Sequence, residues 1–342
     1  MSDAVFIRRT LIVLALTALL FLAWTLRDVM LMVFGAVVFA TLFRALAGQI
    51  QRLGIRRDGL ALAISVIVIF AVVAGAISLF GTQLASQAEG LSQAIPKAWA
   101  SLQQRLHGWG IPVPPKLNAG GIFGNLAGSL PSFVMSVGGG LADGLLIVVG
   151  GIFIAASPRF YGKGLLTLFP AERRAVVGEA MVDSGRALGL WLKAQLVAML
   201  LIGVLTGTGL WLLGVPGPLA LGVLAGLLEF IPFAGPILSA TPGILIALAI
   251  DPQLALWTML LYVGIQHVEG YAIQPIIQSW AVEIPGAVLL FALLAFGALF
   301  GPMGIIFAAP LTVVVFVLVK RLYVQEALDT PTAIPGEEPA DG

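Results

Sequence analysis

Long apolar stretches separated by short polar segments dominate the hydrophobic pattern of this chain. Six of these stretches are close to the ~20 residues that a helix needs to cross a bilayer. They are Leu11–Leu26, Val29–Leu46, Leu60–Phe80, Phe133–Ala156, Leu190–Leu213 and Leu254–Gln274. The pattern therefore predicts an all-α polytopic membrane protein with about six full spans.

Two further apolar segments near the C-terminus are interrupted in the middle. Gly217–Ile250 breaks around Pro232, and Gly286–Val319 breaks around Gly301. Each arm has about 15 apolar residues, so we expect two re-entrant or broken helical hairpins, with two full crossings per hairpin left open. The expected tip and gate residues are Pro232, Gly235, Pro236, Gly301 and Pro302.

The two interrupted hairpins indicate a transport function. Paired, interrupted apolar segments in corresponding positions are typical of a transporter's binding site. We expect one hairpin to enter from outside and the other from inside, as in alternating-access proteins. At the tips, Gly235 and Gly301 are expected to take backbone angles that are closed to other residues.

Two polar regions have helical spacing. An apolar stripe within 83–106 predicts an amphipathic outer helix, either a gate or oligomer contact or a small cap on the membrane. Residues 170–189 predict a cytoplasmic amphipathic helix that continues into the span at Leu190 and projects from the membrane, with Glu179, Asp183 and Arg186 facing water. The chain then divides into an N-terminal three-helix membrane segment (1–80), an extracytoplasmic amphipathic segment (81–132), the fourth span with the cytoplasmic helix (133–189), a transport core with both hairpins (190–324) and a disordered tail (325–342).

Composition places the chain in lipid and sets its orientation. Of 342 residues, 59% are hydrophobic and 10% charged, and the mean hydropathy is +1.05, whereas soluble domains carry about 25% charged residues. A net charge of +1 without basic runs indicates no nucleic-acid partner, and the lack of cysteine excludes disulfides and thiolate metal sites. With both termini in the cytoplasm, the Lys and Arg residues left outside are Arg27, Lys97, Arg105 and Lys116. This agrees with the positive-inside rule.

Polar side chains at membrane depth mark the candidate site, because ionisable groups are costly there. Glu229 stands three residues before Pro232, at the first tip, and Glu269 lies in the sixth span. Gln266 and Gln274 fall with Glu269 on one helix face, and Pro275 removes a backbone donor below them. A structural pair that bridges the hairpin tip and the span is the alternative to a transport site.

Three motifs in order carry a resemblance to a known family. Residues 228–236 (LEFIPFAGP) resemble an E-x-I-P-x-x-G-P signature, and residues 266–275 (QHVEGYAIQP) resemble a Q-x-x-E-x-x-x-x-x-P stretch. Residues 301–310 are similar to a closing G-x-x-G and A-x-P run. These are motifs of the autoinducer-2 exporter family of bacterial permeases. Gln195 matches a recurrent glutamine of that family at the start of the fifth span, although Ala194 stands where a glycine is usual.

The resemblance implies a homo-oligomeric transporter of the bacterial inner membrane. Family members are associated with export of autoinducer-2, and some with sodium–proton antiport. We therefore expect export of a small polar solute, coupled to a proton or a cation. Glu229 and Glu269 would carry the coupling ion, and Gln266, Tyr271 and Gln274 would bind the solute.

Two other functions remain open at this point. One is a sodium–proton antiporter that uses the same carboxylates. The other is a non-transporting membrane scaffold whose cytoplasmic helix recruits a partner. We expect no enzyme and no cofactor, since neither a protease constellation nor a Walker motif is present.

Overall fold

The computed structural model describes residues 3–76, 78–79, 82, 141–278, 282 and 284–332, and within these every regular element is helical. Almost all of the predicted outer segment 81–132 and the end of the predicted tail lie outside the described residues. The helices are α1 (Asp3–Thr25), α2 (Arg27–Arg52), α3 (Asp58–Ala76), α4 (Leu141–Ala156), α5 (Pro158–Thr167), α6 (Arg174–Leu213), α7 (Pro218–Leu228), α8 (Ala234–Ile250), α9 (Pro252–Val268), α10 (Gln274–Gln278) and α11 (Gly286–Leu318). A 3₁₀ turn (Ala171–Arg173) precedes α6, and π-helical turns (Glu269–Ile273 and Val319–Gln325) follow α9 and α11.

Four helical segments of the described chain are long and apolar enough to cross a membrane. They are Arg27–Arg52, Asp58–Ala76, Ala171–Leu213 and Gly286–Gln325. A fifth span is added if α4 and α5, which meet at 94°, are taken together. The prediction of an all-helical membrane protein is confirmed. The count of six full spans is not.

The first interrupted segment forms two helices that pack against each other, α7 and α8. Its tip contains a γ-turn, in which the Ala234 N–H donates to the Pro232 carbonyl at 2.7 Å and Phe233 takes φ 63° and ψ −45°. Gly235 is not among the residues with positive φ, so the prediction of unusual backbone angles there is wrong. Its requirement is steric instead, since a Cβ at 235 would lie 1.9 Å from the Leu228 carbonyl oxygen.

The second interrupted segment folds back within α11. Gly301 is non-helical, with φ 65° and ψ −148°, as predicted for this glycine. Beyond it the chain reverses direction. The evidence is the close approach of Gly304 to Phe296, since a Cβ at Gly304 would lie 2.0 Å from the Phe296 carbonyl oxygen. Gly297 also packs against the Ile305 side chain. Residues eight apart cannot touch in a straight helix, where they are separated by about 12 Å.

Helix α6 is the central element. Its 40 residues form one continuous helix, so the predicted continuation of the helix through Leu190 is confirmed. Helix α7 runs antiparallel to it along a seam of glycines, where a Cβ at Gly222 would lie 2.7 Å from the Gly203 carbonyl oxygen and one at Gly226 2.6 Å from the Met199 carbonyl oxygen. Such backbone contact lets helices approach closely in a membrane. The first arm of the hairpin is therefore tightly bound to α6.

The two hairpins approach α6 from opposite ends. The first starts near the C-terminal end of α6 and reaches Gln195, whose amide donates to the Glu229 carbonyl at 2.7 Å. Eighteen residues separate Gln195 from Leu213, which is about 27 Å along the helix axis. The second hairpin is held at its base by Arg321, which pairs with Glu179 and Asp183 in the N-terminal half of α6.

That base contact corrects one prediction. Asp183 does not face water, because it is buried between α6 and the end of the second hairpin. Its carboxylate lies 3.7 Å from the Arg321 Nε and 3.7 Å from an Arg186 nitrogen. Glu179 and Arg186 are exposed, as predicted. In the predicted tail, the Leu328 N–H donates to the Tyr323 carbonyl and the Gln325 amide to the Thr332 carbonyl.

Candidate functional site

The candidate site lies where the first hairpin tip meets the end of α9. Glu229 ends α7, and Glu269 opens the π-helical turn that follows α9. Beside them, Ile273 of that turn packs in one buried cluster with Ile202 of α6 and Ala225 of α7. Three elements therefore hold the two carboxyl groups in place.

The π-helical turn has a local cause in the sequence. Pro275 has no N–H, so it cannot continue the i to i−4 hydrogen-bond ladder of α9. The Gln274 N–H instead donates to the Glu269 carbonyl, five residues back. Wide turns of this kind are rare in proteins, and those that occur are often found at functional sites. Here the wide turn brings the Gln274 side chain towards Glu269.

Glutamine amides support the two acidic residues. Gln266 donates to one oxygen of the Glu269 carboxylate, and Gln274 donates to the other at 3.3 Å. Gln195 donates to the backbone carbonyl of Glu229, which has no helical partner at the end of α7. The glutamines thus orient Glu269 through its side chain and Glu229 through its backbone.

The pair is buried without a basic partner. Glu229 is 5% exposed and Glu269 7%. The two carboxyl groups are close enough to interact by charge. None of the salt bridges in the described part of the chain involves either group. Two adjacent buried carboxylates repel each other, so the pair favours a shared proton or a bound cation.

The sequence profile of the AI-2E family transporter matches residues 11–323. The chain belongs to the AI-2E family. Over an alignment of 156 residues, the chain is 33% identical to "Putative transport protein YrrI" of Bacillus subtilis. The alignment covers 46% of this chain and 44% of that protein. A "Putative transport protein" of Thermotoga maritima is 24% identical over 190 residues (54% and 55%), and "Putative transport protein YhhT" of Escherichia coli is 26% identical over 182 residues (53% and 52%). The chain spans about half the length of these relatives.

Membership of the AI-2E family, together with the long apolar helices, makes this a multi-pass membrane protein of a transporter family. The structure brings together Glu229, Glu269, Gln195, Gln266 and Gln274 of the six predicted binding residues. It places Tyr271 elsewhere, 83% exposed and beside the His267 ring. Tyr271, which was expected to bind the solute, therefore does not join the other five residues.

The predicted tip residues occupy two separate places in this AI-2E family protein. Pro232, Gly235 and Pro236 lie at the first tip, next to Glu229. Gly301 and Pro302 lie at the second tip, whose neighbour Phe307 packs on α2 through Gly35 and Phe34. Phe300 and Met303 of the second tip and Phe230, directly after Glu229, pack against the same buried apolar cluster.

Sequence reasoning missed one aromatic contact of the site and one hydrogen bond of the first hairpin. Phe230, directly after Glu229, packs edge-to-face on Trp191 of α6, with ring centroids 5.9 Å apart. The Tyr262 hydroxyl donates to the Ser239 carbonyl of α8 at 3.3 Å. Phe230 sits within the 228–236 motif and Trp191 within a span, so spacing alone gave no sign of the pairing. No group of three or more His, Asp or Glu side chains in the described residues could hold a metal ion.

Proposed function

We propose that this protein is a secondary transporter that exports a small polar solute, autoinducer-2-like, by alternating access coupled to a proton or cation gradient. The observation that carries the proposal is the buried Glu229–Glu269 pair at the end of the first hairpin. Buried ionisable groups mark substrate and ion pathways in membrane proteins. The family match supports transport as the general activity.

In the proposed cycle the pair carries the coupling ion. When a proton or cation leaves, the two carboxylates repel each other, and a rearrangement of the first tip relieves the repulsion. Gln266 and Gln274 follow Glu269 through their hydrogen bonds and offer their remaining polar atoms to the solute. Gln195 is assigned a positioning role, because its amide is engaged by the Glu229 backbone.

Location and assembly are part of the same proposal. The protein lies in the bacterial inner membrane with both termini in the cytoplasm, as the distribution of Lys and Arg favours. It works as a homo-oligomer, which the family resemblance implies. The exposed amides of Gln266 and Gln274 would then face a partner copy or a water-filled cavity rather than lipid.

The test is coupled flux in proteoliposomes with Glu229→Gln and Glu269→Gln. A hydrogen bond to a charged group contributes about 1.5–3 kcal/mol, so we expect each variant to lose at least about tenfold of coupled flux. Glu172→Gln is the matched control, since Glu172 is an exposed acid in the turn before α6. Full coupled flux in both pair variants would refute the proposal.

A sodium–proton antiporter is the second candidate, favoured by the absence of a basic partner for the two carboxyl groups among the described residues. Sodium-dependent proton movement in vesicles without added solute would identify it. The same movement should disappear in Glu229→Gln and Glu269→Gln and persist in Glu172→Gln.

A further inference from the structure

Helix α5 follows α4, which we take as the membrane-crossing part of this bent pair. It leaves α4 at an angle of 94°. A helix perpendicular to a span runs along the membrane plane rather than through the bilayer. Because α5 has only 10 residues, it is also too short to cross.

Side chains on both neighbours fix this orientation. The Arg44 Nε donates to the Ala155 carbonyl at 2.6 Å, and its Nη1 binds the Asp58 carboxylate at 2.8 and 3.0 Å. At the other end, Arg174 donates to the Phe169 carbonyl at 3.0 Å and to the Thr167 carbonyl at 3.4 Å. Arg44 therefore fixes the end of α4 just before the bend, and Arg174 fixes the C-terminal end of α5.

The sides of α5 have different chemistry. Leu166 and Gly162 form the narrow side that is half-buried, and Leu166 packs near Gly178 of α6. A second side is apolar and open, with Phe160 73% and Leu168 78% exposed. The other members of this apolar side are Tyr161 and Leu165.

The half-buried side is also basic. Arg159 and Lys163 are four residues apart, and they share a face of α5 with Gly162 and Leu166, each of which follows one of them by three residues. Both basic residues are exposed, and neither takes part in a salt bridge within the described chain. Arg44 links the start of α3 to the end of α4, which brings the exposed Arg52, Arg56 and Arg57 to the same end of the molecule.

We propose that α5 is an interfacial helix that binds anionic phospholipid headgroups. Its apolar side enters the boundary between headgroups and acyl chains, while Arg159 and Lys163 reach the lipid phosphates. Amphipathic in-plane helices with basic polar faces bind membranes in this way. The alternative is that α5 binds a soluble protein, but binding such a partner gives no reason for the axis of α5 to lie in the membrane plane. The inference concerns α5 alone and does not depend on the transported solute.

The test uses a chain that has no native cysteine. Leu168→Cys, labelled with a bimane fluorophore, reports at α5, and Leu200→Cys on the exposed side of α6 is the matched reporter. Vesicles of phosphatidylcholine receive a minor fraction of spin-labelled phosphatidylglycerol or, separately, spin-labelled phosphatidylcholine. We expect stronger quenching by the anionic lipid at position 168 and equal quenching by both lipids at position 200.

Variants then locate the preference. Arg159→Gln/Lys163→Gln should reduce the preference for the anionic lipid by about fivefold for each charge removed. Arg56→Gln/Arg57→Gln removes the same number of charges from the same end and should preserve it. The proposal is overturned by equal quenching at position 168, by no quenching there, or by an equal loss in both double variants.

Discussion

At the scale of single residues, Gly235 shows how little space the first tip leaves. The Leu228 carbonyl oxygen occupies the position that a side chain at 235 would need. Because the obstacle is backbone, no rotamer change can remove it. The tip that carries Glu229 thus depends on the absence of one methyl group.

We predict that Gly235→Ala destabilises the folded protein by at least about 3 kcal/mol, since overpacking in a tight site costs about 1–3 kcal/mol even when neighbours can shift. Thermal unfolding of the purified protein in detergent measures the effect. Gly264→Ala in α9 is the control, because no atom lies within 4 Å of its Cβ position. A melting temperature for Gly235→Ala equal to that of Gly264→Ala would contradict the packing argument.

Residue chemistry predicted part of this site and missed the rest for identifiable reasons. The two glutamates and their glutamines were predictable because polar groups at membrane depth are few and must satisfy each other. Tyr271 was expected to bind the solute together with Gln266 and Gln274, but its side chain is exposed and lies beside the His267 ring. A positive φ was expected at Gly235, but it occurs at Phe233. A glycine in a sequence indicates either a special backbone angle or a close approach, and at Gly235 the reason is the close approach of the Leu228 carbonyl.

At the scale of elements, the N-terminal half of α6 is held to the second hairpin by charge. Sequence periodicity placed Asp183 on the water side of α6, and helical spacing cannot show that Arg321, far along the chain, covers it. The Arg321 guanidinium pairs with Glu179 and lies 3.7 Å from the buried Asp183 carboxylate. Breaking this contact leaves the buried Asp183 carboxylate with Arg186 as its remaining cation.

Arg321→Gln should therefore lower the free energy of unfolding by about 1–3 kcal/mol. Arg173→Gln is the matched control, because its pair with Glu326 is 4.0 Å long and both side chains are largely exposed. Exposed pairs of that kind contribute at most about 1 kcal/mol. Equal melting temperatures for the two variants would show that the Arg321 contact does not hold the hairpin.

At the scale of the whole molecule, the two hairpins extend along α6 from its opposite ends. The sequence predicted both breaks because Gly and Pro interrupt otherwise continuous apolar runs. It did not predict how deep each tip reaches, since depth depends on which residue of α6 each tip contacts. With Glu229 held at Gln195, the first tip lies near the start of the apolar part of α6 rather than midway.

We expect the two tips to be open to opposite sides of the membrane. In oriented vesicles, Ala234→Cys should react with a membrane-impermeant thiol reagent from the cytoplasmic side. Met303→Cys, at the second tip, should react from the outside. Each variant serves as the control for the other, and labelling of both from one side would exclude the opposed arrangement.

The γ-turn at Phe233 has a consequence for the energy landscape of the protein. A γ-turn with positive φ is strained, and a residue with a side chain in such a region stores about 1–3 kcal/mol. Any second conformation in which Phe233 returns to an ordinary φ releases that strain energy. The strain therefore reduces the free-energy difference between the observed conformation of the tip and such a second conformation. Phe233→Gly would then raise the melting temperature while slowing turnover, a trade between stability and activity that a melting curve and a flux assay together would detect.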